Sequence, residues 1–239
     1  RYLELTPFIS GELAKEKGLG RHWLRGGFPL SWLASDDEAS FEWRLDFIRD
    51  FLERDIPMMQ PRIPPVRVRR LWTMLAHLHG QLLNMASLSN ALGVSGPTIR
   101  KYIDLLEGAY MVRRLPPYAA NLKKRLVKSP KMYLRDSGVL HTLLNINDRN
   151  TLLGHPVYGG SWEGFCLENI LARCRRTVQA SFFRTVRGAE IDLVLEQGDK
   201  KVAVEFKVST AAKPQRGFWT ALKDLEIKRS WNIAPIAEG

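Results

Sequence analysis

Two acidic strings late in the chain carry the residue types best suited to chemistry. Glu190-Ile191-Asp192 and Glu205-Phe206-Lys207 alternate charged and apolar side chains, the period of a strand with one polar and one apolar face. Gln197-Gly198-Asp199-Lys200 between them has the composition of a turn. If these four residues form the loop and Glu196 pairs with Lys201, Asp192 falls opposite Glu205 and Glu190 opposite Lys207. Two carboxylates facing each other across a sheet repel. A divalent cation relieves that repulsion, and Mg²⁺ is commonly held by one or two carboxylates completed by water and phosphate. Lys207 would then orient a metal-bound water or stabilise charge on a phosphate. The same residues also allow a plainer reading, a Glu190–Lys207 ion pair on a solvated sheet face.

A third carboxylate comes from a helix expected over about 162–175. At 100° per residue, Trp162, Cys166, Leu167, Ile170, Leu171 and Cys174 mark one face. Glu163 falls within that apolar stripe and Glu168 on the far side, toward solvent. A carboxylate among apolar groups is costly unless paired or bound to a cation. Glu163 is therefore the candidate to join Asp192 and Glu205, with a structural ion pair to Arg184 or Arg187 as the alternative.

The elements that must position these groups read as helix, three strands, helix, strand, a mixed α/β order. The strands are expected at 181–184, 190–196 and 201–209, the second helix at about 216–225 and the last strand near 231–233. Alternation puts Val202, Val204, Phe206 and Val208 on one face of their strand. It puts Ile191, Leu193 and Leu195 together on the strand before it.

Earlier in the chain, Phe41, Leu45, Ile48 and Leu52 recur at helical spacing, and Pro57 is expected to end that helix. Pro61-Arg62-Ile63-Pro64-Pro65 reads as a stiff linker. Ser10 is a candidate cap for a short helix. Three helices are expected next, at about 66–80, including 88–92, and including 97–106. Gly93-Val94-Ser95 forms the turn between the last two, with Ser95 as cap and Pro97 in the first turn. Val112–Leu115 and Lys131–Leu134 are expected as strands of a wing. The result is a winged helix-turn-helix. Its candidate nucleic-acid contacts are Arg100 and Lys101 on the third helix, Arg113 and Arg114 on the first wing strand, and Lys123, Lys124 and Arg125 in the loop. A helix docked on a neighbouring domain is the competing reading.

Composition bounds the function. The chain has 239 residues, 45% of them apolar, and a formal net charge of +11. That length accommodates one large domain or two to three small ones. The basic excess favours a polyanionic partner, DNA first, with a protein partner as the alternative. No run is long and apolar enough to span a membrane. Cys166 and Cys174 lie about 12 Å apart along a helix, too far to bond each other. Without a CxxC pair or a second Cys/His cluster, a zinc site is not expected, and a cytoplasmic protein is. The first residue is Arg rather than Met, and the chain reads as a piece of something longer.

The acidic strings resemble the PD-(D/E)xK nuclease signature, with Ile191 in place of the proline. The resemblance implies a restriction-endonuclease-like α/β fold in which Glu163, Asp192, Glu205 and Lys207 hold Mg²⁺ or Mn²⁺ for phosphodiester cleavage. More widely, the chain is similar to prokaryotic AAA+ ATPases that end in an uncharacterised nuclease-like domain. The matching strings are Leu3-Glu4-Leu5-Thr6-Pro7-Phe8, Gly26-Gly27-Phe28-Pro29, Glu53-Arg54-Asp55-Ile56, Leu134-Arg135-Asp136-Ser137-Gly138, Trp162-Glu163-Gly164-Phe165 and Phe183-Arg184-Thr185. The implied organisation is multi-domain α plus α/β. Residues 1–60 would be a last ATPase strand and lid-like helices, 61–136 the winged helix-turn-helix, and 137–239 the nuclease-like domain. The phosphate-cradling G-x-x-x-x-G-K-[ST] loop is not in this sequence. ATP binding would belong to a core preceding this segment.

Overall fold

The computed structural model describes residues 5–13, 18–119, 126–209, 211 and 213–235. The chain opens with short helices, α1 (Leu19–Arg25) and α2 (Pro29–Trp32), and a long one, α3 (Asp37–Asp50). Asp36 caps α3 by accepting the Ala39 amide, satisfying one of the donors that a helix start leaves free. The helix does not stop at Pro57. A wide π turn over Phe51–Asp55 leads into α4 (Ile56–Met59). The extra residue in that turn accommodates a proline that has no N–H to give the turn before it. Ser10 lies in a turn rather than a helix. The proline-rich stretch is no free linker, since Ile63 is buried and Pro65 begins the next helix.

α5 (Pro65–His77), β1 (Gln81–Leu82), α6 (Met85–Leu92), α7 (Gly96–Gly108), β2 (Val112–Leu115) and β3 (Lys131–Leu134) follow in the order of a winged helix. Their three strands pair antiparallel in the order β1-β3-β2. Gly93 ends α6 at φ 63°, in the left-handed region that glycine enters without strain. Ser95 caps α7 through the Thr98 amide, as its position suggests. Ile99, Tyr102, Ile103 and Leu106 form the buried face of α7.

α8 (Ser137–Leu143), α9 (Arg149–Gly154) and α10 (Tyr158–Leu171) lead to a second sheet. It comprises β4 (Gln179–Arg184), β5 (Glu190–Gln197), β6 (Lys200–Phe206) and β7 (Arg229–Ile233), with α11 (Arg216–Asp224) before the last strand. The order is β4-β5-β6-β7, antiparallel except for the parallel β6–β7 pair. Helix and sheet thus mix along the chain. Cys174 lies beyond the end of α10, and both cysteines are free.

One buried cluster runs from Trp23 and Leu52 through Trp72, Ile103 and Tyr133 to Trp162, Leu193, Val204 and Phe206. A second gathers Phe183, Ile191, Val194 and Ala203 under Phe218 and Leu222 of α11. The β4–β7 sheet therefore buries both faces. Strict alternation fails in β5. Ser181 pairs with Val194 and Phe183 with Ile191, so two residues of β4 span three of β5. This bulge at Asp192–Leu193 moves Ile191 to the α11 side, with Val194, while Leu193 stays with Val204. A bulge bends its strand and re-aims the side chains that follow. Here it re-aims Asp192.

Candidate functional site

β5 and β6 pair from Gln197↔Lys200 to Leu193↔Val204, with Glu196 opposite Lys201 as the turn composition implies. Beyond Leu193, side chain takes over from backbone. Oδ2 of Asp192 accepts the Phe206 amide at 3.0 Å. That bond fixes the carboxylate beside Glu205, the last polar residue of β6. Asp192 and Glu205 are both almost fully buried.

Helix α10 brings Glu163 to the same place. Gly164, with no side chain, lets α10 close on the His79 ring, which follows α5 and accepts the Leu134 amide at 3.0 Å. Burial holds that imidazole neutral, with its pKa lowered to about 3. β3, on the far side of His79, supplies two further groups. The Tyr133 hydroxyl donates to Oε1 of Glu163. Nζ of Lys131 lies 3.1 Å from Glu163, 3.0 Å from Glu190 and 3.4 Å from Asp192.

Lys131 was not expected here. Its side chain is only 4% exposed, a position in which an ammonium persists only among counter-charges. Burial alone would depress its pKa. Glu163, Asp192 and Glu190 outweigh burial and hold it above the ordinary lysine value. Glu163 itself is pushed up to about 7 by burial and by Asp192, against the pull of Lys131 and Tyr133.

The other side of the cluster is less satisfied. Glu205 is raised to about 7 by burial and then by Asp192, while Lys207 works in the opposite direction at 2.7 Å. Oε2 of Glu205 has no hydrogen-bond partner among the described residues. A cavity of about 550 Å³ opens over Asp192, Glu205 and Lys207, bordered by Lys131, Glu163 and Gly217 at the start of α11.

The expected residues are therefore brought together, with different partners. Glu163 pairs with Lys131 and Tyr133 rather than with Arg184 or Arg187. Glu190 pairs with Lys131 and, at 3.5 Å, with Arg184, not with Lys207. Among the described residues, no group of three or more His, Cys, Asp or Glu side chains is arranged to hold a metal ion. Glu163, turned toward Lys131, does not complete a three-carboxylate cage with Asp192 and Glu205. The donors that fit a divalent cation are the Asp192–Glu205 pair, with its unpartnered oxygen. Two carboxylates suit Mg²⁺, which keeps water and phosphate in its shell.

The candidate nucleic-acid contacts divide. Arg100 and Lys101 stand exposed on α7. Arg113 is held by Glu168 of α10 in a two-point pair, Nη2 to Oε2 at 2.8 Å. Glu168, expected in solvent, is only 12% exposed and also binds Arg135. Arg114 is engaged by Glu107, Nε to Oε2 at 2.7 Å, and by Asp104 at 2.8 Å. Both wing arginines are thus engaged by carboxylates, of α10 and of α7. Lys123, Lys124 and Arg125 lie outside the described residues.

Residues 16–150 match a family described as a domain of unknown function, DUF8612, which covers more than half of the sequence. The chain belongs to that family. Residues 158–237 match a second domain of unknown function, DUF4143. Lys131 and Tyr133 fall in the first segment, and Glu163, Asp192, Glu205 and Lys207 in the second. The carboxylate cluster is thus assembled from both. Two curated relatives, the uncharacterized proteins Mb2031c of Mycobacterium bovis and Rv2008c of Mycobacterium tuberculosis, are each 44% identical over 230 residues. That span covers 95% of this chain and 52% of theirs, so the chain spans about half the length of these relatives. The crystal structure of the transcriptional regulator PA3341 overlaps 55% of this chain and 90% of its own at 21% identity. Its TM-score of 0.24 is too low to establish a common fold.

Proposed function

We propose that this chain is a DNA-handling region of an AAA+ ATPase. Its β4–β7 sheet would be a PD-(D/E)xK-like phosphodiester site that works with Mg²⁺ or Mn²⁺. One observation carries the reading: two buried carboxylates, Asp192 and Glu205, meet beside a lysine at an open cavity, and one of their oxygens has no partner. Lys131 and Lys207 offset part of the charge of this pair, and the remaining oxygen is suited to a cation or a proton. Asp192 and Glu205 would hold the ion. Such an ion would supply a water of lowered pKa and Lewis-acid polarisation of a phosphoryl oxygen.

The chain's own residues do the rest. Phe206 fixes Asp192 through its amide. Lys207 donates to Glu205 and is placed to turn toward a phosphate oxygen. Arg100 and Lys101 on α7, with the net charge of +11, supply phosphate contacts. The ATPase core would lie in the part of the longer relatives that this chain does not match.

The test is cleavage of duplex and single-stranded DNA with Mn²⁺ present. Asp192→Asn retains an oxygen for the Phe206 amide and loses the charge. It is expected to keep its fold and to lose cleavage by about 10² or more. Cleavage that survives in this variant would remove Asp192 from the mechanism.

A second reading has its own observation. Lys131 already neutralises much of the cluster, and no three-ligand cage exists among the described residues. On that reading the nuclease-like unit is vestigial and the chain binds DNA or a protein without cutting. DNA affinity that falls steeply with salt, without any cleavage, would favour it.

A further inference from the structure

The cluster contains an ammonium where a cation is needed, and it comes from another part of the chain. Lys131 lies on β3, in the winged-helix sheet, and reaches three carboxylates carried by α10 and β5. β3 is the middle strand of its sheet and is buried along its length, and only 4% of the Lys131 side chain is exposed. The arrangement is also lopsided. Glu163, Glu190 and Asp192 share Lys131, while the ammonium beside Glu205 is that of Lys207, and Glu205 Oε2 accepts no hydrogen bond among the described residues.

We propose that Lys131 is a resident cation of the carboxylate site, a positioning residue that fills its Glu163–Glu190 side and leaves room for one divalent ion, between Asp192 and Glu205. This rests on the reading of Asp192 and Glu205 as cation ligands. It goes further in assigning what occupies the other half of the cluster. An ammonium and a divalent ion that both draw on Asp192 would repel each other. Lys131 therefore both orders the carboxylates and limits how many ions they accept. It also ties the site to the wing, so the DUF4143-matching segment has a complete site only with β3 docked against it.

The test is titration with Mn²⁺ alone, followed by the ion's own paramagnetic signal, on the whole chain and on Lys131→Met and Lys131→Arg. The wild type is expected to bind one ion. Lys131→Met, which frees Glu163 and Glu190, is expected to bind a second ion or to bind the first about tenfold or more tightly. Lys131→Arg, which keeps the charge, should match the wild type. A lysine that merely braced the fold would give Lys131→Met equal or weaker Mn²⁺ binding, and that result overturns the proposal. If Lys131→Met does not fold, Lys131→Met/Glu163→Gln removes ammonium and carboxylate together. It must then bind Mn²⁺ more tightly than Glu163→Gln alone, and equal affinity overturns the proposal. The two readings fail separately. One ion bound equally by the wild type and Lys131→Met refutes the role of Lys131 and leaves the Asp192–Glu205 reading standing, whereas binding seen only after Lys131 is replaced refutes both the native site and the room left for an ion. Binding to none of the proteins refutes both.

Discussion

At the residue scale the cluster has too many negative charges for its burial, and pH should expose this. Burial, and then Asp192, push the Glu205 carboxyl up to about 7 in the folded chain from an ordinary value of 4.5. Between those values the folded state holds a proton that the unfolded chain has released. This group therefore favours folding at acid pH, and its contribution is lost as pH rises through 7. The buried His79 and His141, lowered to about 3 and about 4, work in the opposite direction and weaken the fold as pH falls below 6.5. A difference measurement separates the two. Glu205→Gln should gain on the wild type by about 2–4 °C in Tm between pH 5 and pH 8, read by thermal unfolding at each pH. A gap that stays constant with pH would mean that Glu205 does not carry the strain. Asp192, Glu205, Lys207 and Glu163 were legible in the sequence, because alternation and helical spacing mark residues on one element. Lys131 was not, because its partners lie 32 to 61 residues away and reach it only after two sheets have packed.

At the element scale, α10 links the two halves of the structure through charges on opposite sides. Glu163 faces the cluster, and Glu168 clamps Arg113 of β2. Arg113→Ala leaves Glu168 with Arg135 alone and is expected to cost about 1–3 kcal/mol, measured by denaturant unfolding. An effect under a few tenths would mark the pair as superficial. On α7 the opposite applies. Arg100→Ala or Lys101→Ala should leave stability unchanged, weaken DNA binding whatever the sequence, and reduce the salt slope by about one each. Arg114→Ala should not change that slope, since Glu107 and Asp104 already hold it.

The wing strands at 112–115 and 131–134 and the site hairpin were readable from local pattern, because turn residues and alternation act over a few positions. β1, with two residues, is too short to show a period. The bulge at Asp192–Leu193 left both neighbouring stretches regular and reversed only their relative phase. The helix through Pro57 was missed because a π turn absorbs what the proline removes.

At the scale of the whole molecule, two family segments share one buried core and one carboxylate cluster. A chain with net charge +11 gathers two buried carboxylates, Asp192 and Glu205, at one cavity. That contrast suits a surface that gathers a polyanion and a site that holds a cation against it. No helix among the described residues is long and apolar enough to cross a membrane. The most direct test is calorimetric titration of Mn²⁺ into the whole chain with a short DNA duplex present, beside Asp192→Asn. The predicted result is one ion per chain, lost in the variant. Equal binding to both proteins, or binding to neither, would contradict a divalent-cation site at Asp192 and Glu205.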